Sequence, residues 1–218
     1  MMTTSPAPAI GPSKVPVPPE ITISSASADA GSIRLFGEDI TRVPSRRRAH
    51  LGLGRTYQII TLFPSETLLR NVTLSLLGLS RRRWNPVVRL EGQTPLLAAA
   101  RAALARVGLD HLAERPLAET SYGERRRVEI AMALAQSPRL LLLDEPFAGL
   151  SIEERRDVHQ LLVGIPREVT IVMIEHDMDT ALEFAERITV LHFGEVIVEG
   201  NRAEVVRHPR TREIYLGE

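Results

Sequence analysis

A run of four leucines ending on two carboxylates, Leu140-Leu141-Leu142-Leu143-Asp144-Glu145-Pro146, constrains this chain more than any other stretch. Unbroken apolar residues over so short a length read as a β-strand covered on both faces, as in a parallel sheet packed between helices. Pro146 ends the strand, because it cannot donate to a sheet ladder. In open α/β sheets, ligands gather at the carboxyl ends of strands. Asp144 placed there can hold magnesium through a water, and Glu145 can orient or deprotonate a water that attacks a phosphate. An acidic strand-to-loop turn with no such task has the same sequence, so this run alone does not decide.

The flanking periodicities predict an α/β chain. Downstream, Ser151 and Glu154 form a capping box, and the helix they open stops at Gly164, with Pro166 beyond. A buried strand follows at 169–174, a helix from Asp177 to about 185, a hairpin of 188–192 and 196–198 around Phe193-Gly194-Glu195, and a last helix opened by Asn201 and Glu204. Upstream, a strand at 32–36 turns at Gly37-Glu38, one or two helical turns at 44–50 end at Gly52, and a strand runs over 55–59. A helix opens at Ser65 and reaches about 77, Trp84-Asn85-Pro86 interrupts, and an alanine- and leucine-rich helix fills 95–107 before Gly108. The stretch from about 66 to 136 is therefore mainly helical. Strand, helix, strand, helix, strand predicts a three-layer core with a mainly parallel sheet, here joined to a helical subdomain.

Composition removes several classes of function. Lys+Arg and Asp+Glu both total 27, so no net field points to nucleic acid or an anionic membrane. There is no cysteine, which excludes thiolate metal sites and thiol nucleophiles. No apolar stretch approaches the roughly 18 residues of a membrane span, and the N-terminus lacks the pattern of a secretory signal, so the expected location is cytoplasmic. Residues 1–30 differ in kind: Pro6, Pro8, Pro12, Pro16, Pro18 and Pro19 interrupt a Ser-, Thr- and Ala-rich segment with few charges, which predicts disorder. Within it, 21–24 alternates as a short strand does.

Three further constellations accompany the acidic strand end. Thr120-Ser121-Tyr122-Gly123-Glu124 opens a helix read over 124–136, whose Val128, Ala131, Met132 and Ala135 share one face with Ile130 and Leu134 beside it. A serine hydroxyl and a glycine backbone before a helix N-terminus make an anion site; they also make an ordinary N-cap. Ile171-Val172-Met173-Ile174-Glu175-His176 again delivers polar side chains at the end of an apolar strand, and His176 can hydrogen-bond a phosphate oxygen or be structural. Gln58, at a strand end after Gly52 and Gly54, can reach a metal or a water through its amide. Gly52-Leu53-Gly54 lacks the third glycine of a dinucleotide fingerprint.

The order of these pieces resembles the ATP-binding subunit of ABC transporters from about Gly31 to Glu218. GLGRTYQ at 52–58, SYGERRRVEIA at 121–131, DEPFAGLS at 144–151, IEHDMD at 174–179 and the ending REIYLGE are similar to the branched-chain amino acid importer subgroup. The resemblance implies a P-loop NTPase-like fold that binds ATP and Mg2+. It implies head-to-tail pairing with a second ATP-binding subunit, with Ser121, Tyr122 and Gly123 of one copy facing the nucleotide held by the other. Ser121 and Gly123 would contact the γ-phosphate, Asp144 and Gln58 would serve the magnesium, Glu145 would be the catalytic base, and His176 would sense the γ-phosphate. Gln58 would also pass closure to transmembrane permease subunits, with a periplasmic substrate-binding protein acting indirectly. The location implied is the inner face of the cell membrane, held there by partners.

One element of that family is missing from the sequence. No stretch reads G-x-x-x-x-G-K-[ST], and the only lysine is Lys14, in Gly11-Pro12-Ser13-Lys14 followed by Val15-Pro16. The expectation is a cassette whose N-terminal core is absent, with residues 31–218 as the truncated domain. A scrambled coding start, a degenerate homologue, and a site completed by another chain are the three origins consistent with this. A non-catalytic binding or regulatory module is the alternative function. Chromosome-maintenance ATPases fit poorly, because only about 60 residues separate Gln58 from Ser121 and they carry no sustained heptad.

Overall fold

The structure, a computed structural model, describes residues 31–56, 62–80 and 92–216. Gln58, the disorder expected for 1–30, the short strand at 21–24 and the break at Trp84-Asn85-Pro86 lie outside the described residues. The chain divides into two units, 1–48 and 49–218. In the first, the expected strand at 32–36 is only the arm of a small hairpin: β1 (Arg34–Leu35) pairs antiparallel with β2 (Glu38–Asp39) across Phe36 and Gly37, both at positive φ. The Asp39 carboxylate accepts from the Thr41 backbone and hydroxyl, which closes the exit of the hairpin. The helical turn α1 (Ser45–Arg48) follows.

The second unit holds the rest. Its strands are β3 (Leu53–Arg55), β4 (Leu140–Asp144), β5 (Thr170–Ile174), β6 (Ile188–His192) and β7 (Glu195–Gly200). Its helices are α2 (Leu68–Leu79), α3 (Thr94–Arg106), α4 (Tyr122–Ala135), α5 (Ile152–Val163), α6 (Met178–Phe184) and α7 (Arg202–Arg207). β3, β4 and β5 form a parallel sheet in that order, with Gly54, Leu141 and Ile171 in register. All four leucines of β4 are buried, Leu141 and Leu143 in one apolar cluster and Leu140 and Leu142 on the opposite face, as a doubly covered strand requires.

Helix α4 divides the interior. Val128 and Ala131, with Met132 and Ala135 beside them, pack among Leu68, Leu69 and Val72 of α2 and Ala100 and Leu104 of α3. Ile130, Ala133 and Leu134 face Leu141 and Leu143 of β4 and Val158 and Leu162 of α5. One helix therefore walls a helical core on one side and a sheet core on the other.

Several expectations need correction. The strand at 169–174 is not fully buried: Thr170 and Ile174 are exposed, because among the described residues β5 has β4 as its one sheet neighbour. The hairpin read over 188–192 and 196–198 forms, with β6 antiparallel to β7, and among the described residues neither strand joins the parallel sheet. The cap of α2 is Thr67, whose hydroxyl accepts from the Arg70 N–H, rather than Ser65. α4 begins at Tyr122 rather than 124. The capping boxes at Ser151/Glu154 and Asn201/Glu204 form as read. Among the described residues, no helix is long and apolar enough to cross a membrane.

This division of the core predicts unequal responses to truncation. Leu141→Ala opens a cavity at the sheet–α4–α5 junction and should cost about 2–5 kcal/mol in urea unfolding. Phe193→Ser at the exposed β6–β7 turn should stay within about 0.5 kcal/mol.

Candidate functional site

Parallel pairing carries the ends of three strands to one edge, and each end delivers a charged group. Asp144 closes β4 in register with Ile174. The Glu145 N–H donates to the Ile174 carbonyl at 3.0 Å, so the ladder runs one residue past the strand and fixes Glu145 beside the end of β5. Two residues after Ile174, His176 stands with Nδ1 3.4 Å from Glu145 Oε1, and its side chain is 74% exposed. Arg55, ending β3, reaches 3.9 Å from Asp144 Oδ2. Between them, Glu175 accepts from the Phe147 N–H, has a buried Oε1 without a hydrogen-bond partner, and is pushed up from the ordinary carboxyl range chiefly by burial. The result is a half-open acidic pair beside an accessible imidazole.

Glu145 holds φ at 44°, a left-handed value rare outside glycine. Arg126 supplies a reason the turn keeps that shape. Its side chain is wholly buried and lies under the turn, where it donates to the carbonyls of Glu145 at 2.7 Å, Pro146 at 3.3 Å and Asp144 at 3.4 Å. Its charge is met by Glu129, one turn along α4, at 2.8 Å. Burial pushes the Glu129 carboxyl up, opposed by the Arg126 hydrogen bond and charge. A rigid five-donor guanidinium suits three converging carbonyls better than an ammonium would.

The second group of predicted residues sits at the start of α4. Ser121 is its N-cap in a capping box with Glu124. The donors of this loop are spent on a second acid: Glu154 Oε1 accepts from the Ser121 hydroxyl at 2.9 Å and from the Gly123 N–H at 2.8 Å. The other oxygen of Glu154 accepts from the N–H and hydroxyl of Ser151, both at 3.0 Å. A Cβ on Gly123 would stand 2.5 Å from Glu154 Cγ, so only glycine admits this approach. Tyr122 packs against the neighbouring loop, with its ring 3.4 Å from where a Cβ on Gly149 would lie.

The residues expected to act together thus form two groups. Asp144, Glu145 and His176 meet at the sheet edge, while Ser121 and Gly123 turn their hydrogen bonds to Glu124 and Glu154, not to that edge. Gln58 lies outside the described residues. The sequence reading overlooked Arg126 and Glu129, and treated Glu154 as a cap only. The i, i+3 spacing of an Arg and a Glu beside the apolar residues Val128 and Ile130 was the available signal for the first two. Among the described residues, no cluster of three or more acidic or histidine side chains could enclose a metal. Magnesium does not need one: it commonly takes a single carboxylate and completes its shell with phosphate oxygens and water, and Asp144 can supply that carboxylate.

Comparison with known proteins identifies the family and the fold. The profile of the family described as ABC transporter matches residues 20–148. The chain is 37% identical to the lipopolysaccharide export system ATP-binding protein LptB of Acidithiobacillus ferridurans, over 87% of its own length and 75% of that protein. The chain belongs to the ABC transporter family. It is 33% identical to the high-affinity branched-chain amino acid transport ATP-binding protein BraF of Pseudomonas aeruginosa, covering 86% of this chain and 76% of BraF. It is 37% identical to the sulfate/thiosulfate import ATP-binding protein CysA of Bordetella parapertussis, covering 87% of this chain and only 51% of CysA. Among solved structures, the ADP conformation of the ATP-binding cassette MJ1267 superposes with a TM-score of 0.74 at 28% identity, over 88% of this chain and 79% of that one. The post-hydrolysis dimer of the cassette MJ0796 with ADP and Pi gives 0.64 at 26%, over 80% and 74%. The fold is the α/β, P-loop NTPase-like fold of an ATP-binding cassette.

Two measurements check the site's scaffold. Arg126→Met leaves Glu129 buried without its partner and removes the guanidinium's hydrogen bonds to three carbonyls of the turn, and should cost about 3–5 kcal/mol in urea unfolding. Adding Glu129→Leu should recover part of that loss; a double variant no more stable than the single would refute the pairing. The Glu154 carboxyl is held down from 4.5 to about 2, first by the Ser151 N–H, then by the Gly123 N–H and the Ser121 hydroxyl. Its folded value lies below its unfolded one, so its contribution is full above the ordinary carboxyl value and fades as pH falls toward about 2. Glu154→Gln should therefore lower the melting temperature more at pH 6 than at pH 3.

Proposed function

We propose that this cassette is the ATP-binding and ATP-hydrolysing subunit of an importer, with branched-chain amino acids as the cargo class. Support for the chemistry comes chiefly from one observation, the 3.4 Å approach of His176 Nδ1 to Glu145 Oε1 at the carboxyl edge of a parallel sheet. Phosphoryl transfer asks a protein for positioning and charge more than for covalent help. Glu145 carries the acceptor oxygens that would take the proton of an attacking water. His176, exposed beside it, would hydrogen-bond a terminal phosphate oxygen. Asp144 would hold Mg2+, whose charge neutralises the phosphates when bound. The cargo assignment is supported by the SYGE, DEPFAGLS and IEHDMD segments and by the likeness to BraF; CysA and LptB, with other cargoes in their names, are higher in identity, at 37% against 33%.

In this reading a second copy or a related subunit brings its Ser121 and Gly123 to the phosphates, which accounts for their separation from Glu145 within one chain. Transmembrane permease subunits would hold the pair at the inner face of the membrane, and a periplasmic substrate-binding protein would deliver the cargo to them. The domain reading is a cassette over 31–218 whose helical subdomain, about 66–136, meets the permease.

The absence of G-x-x-x-x-G-K-[ST] favours a second reading, a cassette that binds or regulates without turning over. It also sets the affinity expected of this chain. Without that loop's N–H groups and lysine, Mg-ATP should bind in titration calorimetry with a Kd above about 1 mM, weaker than about −4 kcal/mol. Micromolar binding would overturn that expectation. At saturating Mg-ATP, Glu145→Gln should lower steady-state hydrolysis by at least about 100-fold if Glu145 is the base. Absence of hydrolysis in the unsubstituted chain would favour the second reading.

A further inference from the structure

The Glu154 carboxylate fills a place built for an oxyanion. Its two oxygens accept four hydrogen bonds, from the Ser121 hydroxyl, the Gly123 N–H, and the N–H and hydroxyl of Ser151. Two of these donors are the ones that the proposed function assigns to a terminal phosphate. A carboxylate and a phosphate compete for such donors on equal terms, since both offer charged oxygens of similar size. The starts of two helices, α4 and α5, meet at this one acid, and both add favourable partial charge. The match is steric too, because Gly123 leaves room for Glu154 Cγ where any side chain would collide.

We infer that Glu154 is the resident anion of the Ser121–Gly123 seat, and that a phosphate-class ligand enters it only by displacing this carboxylate, which releases the clamp between the starts of α4 and α5. The inference rests on the proposed function for the identity of the ligand. Glu154 is reached from α5 and keeps its bond to Ser151 when it leaves Ser121, so displacement does not require α5 to unwind. Through Ser151 and the Tyr122–Gly149 contact, the loop after Asp144-Glu145 feels whether the seat holds its own acid or a ligand. The resting cassette is therefore self-capped. Its vacant-state donors are never bare, and phosphate affinity there is set by a difference between two anions.

The test reads the seat directly. In the full chain labelled with 15N, the Gly123 amide resonance is followed during titration with inorganic phosphate, for the unsubstituted protein, Glu154→Gln and Glu154→Asp. Gln keeps the N3 side-chain acceptor of the α5 capping box while losing the charge. Asp keeps the charge and is one methylene too short to span both helix starts. The expected result is a saturable Gly123 shift in both variants at phosphate concentrations about tenfold below any response of the unsubstituted chain. Equal responses in all three proteins, or no response in any, would overturn the inference. Mg-ATP-dependent self-association of Glu154→Gln, measured by sedimentation velocity, separates this from the proposed function. Association that is equally strong in the unsubstituted chain upholds that function and sinks the self-cap. A phosphate response confined to the variants, with no association, upholds the self-cap and sinks the motor reading.

Discussion

The buried guanidinium of Arg126 is the interaction on which the site depends. A charge with no solvent access is tolerated only if it is paired and its donors are used. Glu129 supplies the pairing, and three backbone carbonyls of the Asp144-Glu145-Pro146 turn supply acceptors. The dependence runs both ways. The turn places Glu145 in a left-handed conformation that a non-glycine residue leaves readily, and the hydrogen bonds from below hold it there. The same residue thus satisfies a core charge and orients the acid nearest His176. α4 can carry a charged pair in this position because its other residues are apolar on two faces, so the helix is anchored by both cores at once.

Much of this was legible in the sequence because the signals were local. Four leucines in a row, stopped by Pro146, read as a strand covered on both faces, and all four are buried in β4. Ser151/Glu154 and Asn201/Glu204 declare helix starts through chemistry confined to four residues, and both boxes form. The parts that were not legible involve partners distant in the chain. Nothing near 169–174 says whether β5 has one neighbour or two, so its half-exposed surface could not be anticipated. The β6–β7 hairpin was legible because its turn, Phe193-Gly194-Glu195, is local, but nothing near Ile188 says that among the described residues the pair stays apart from the parallel sheet. Ser65 and Thr67 are both acceptable caps, and the choice falls to the backbone bonds that Leu68 and Leu69 make with Arg115 and Ala113.

The candidate site divides along the same line. Asp144, Glu145 and His176 were found because each ends an apolar strand, and parallel pairing in register then brings them together without further information. Ser121 and Gly123 were found for the same local reason, a hydroxyl and a glycine before a helix. Their present partner was not. Glu154 is fully explained as the N3 member of its own capping box, and that sufficient local role concealed the second, longer-range one. A residue that meets one rule completely gives no hint that it meets another.

Helix α4 joins these findings mechanically. Its N-cap, Ser121, and the guanidinium that braces Glu145 are five residues apart, a rise of about 7.5 Å along a rigid helix. The anion seat lies at one end of that segment and the acidic turn rests on the other. A change of occupant at Ser121 therefore has two short routes to Glu145. One runs along α4 through Arg126 to the carbonyls of the turn. The other runs through Glu154 and Ser151 back along the Phe147–Leu150 loop to Pro146. Both routes consist of hydrogen bonds to backbone or of continuous chain, which transmit displacement better than side-chain contacts with free rotamers. The arrangement lets a phosphate held by one edge of the cassette alter the set of the acid on another, with no motion larger than the exchange of one carboxylate for one ligand.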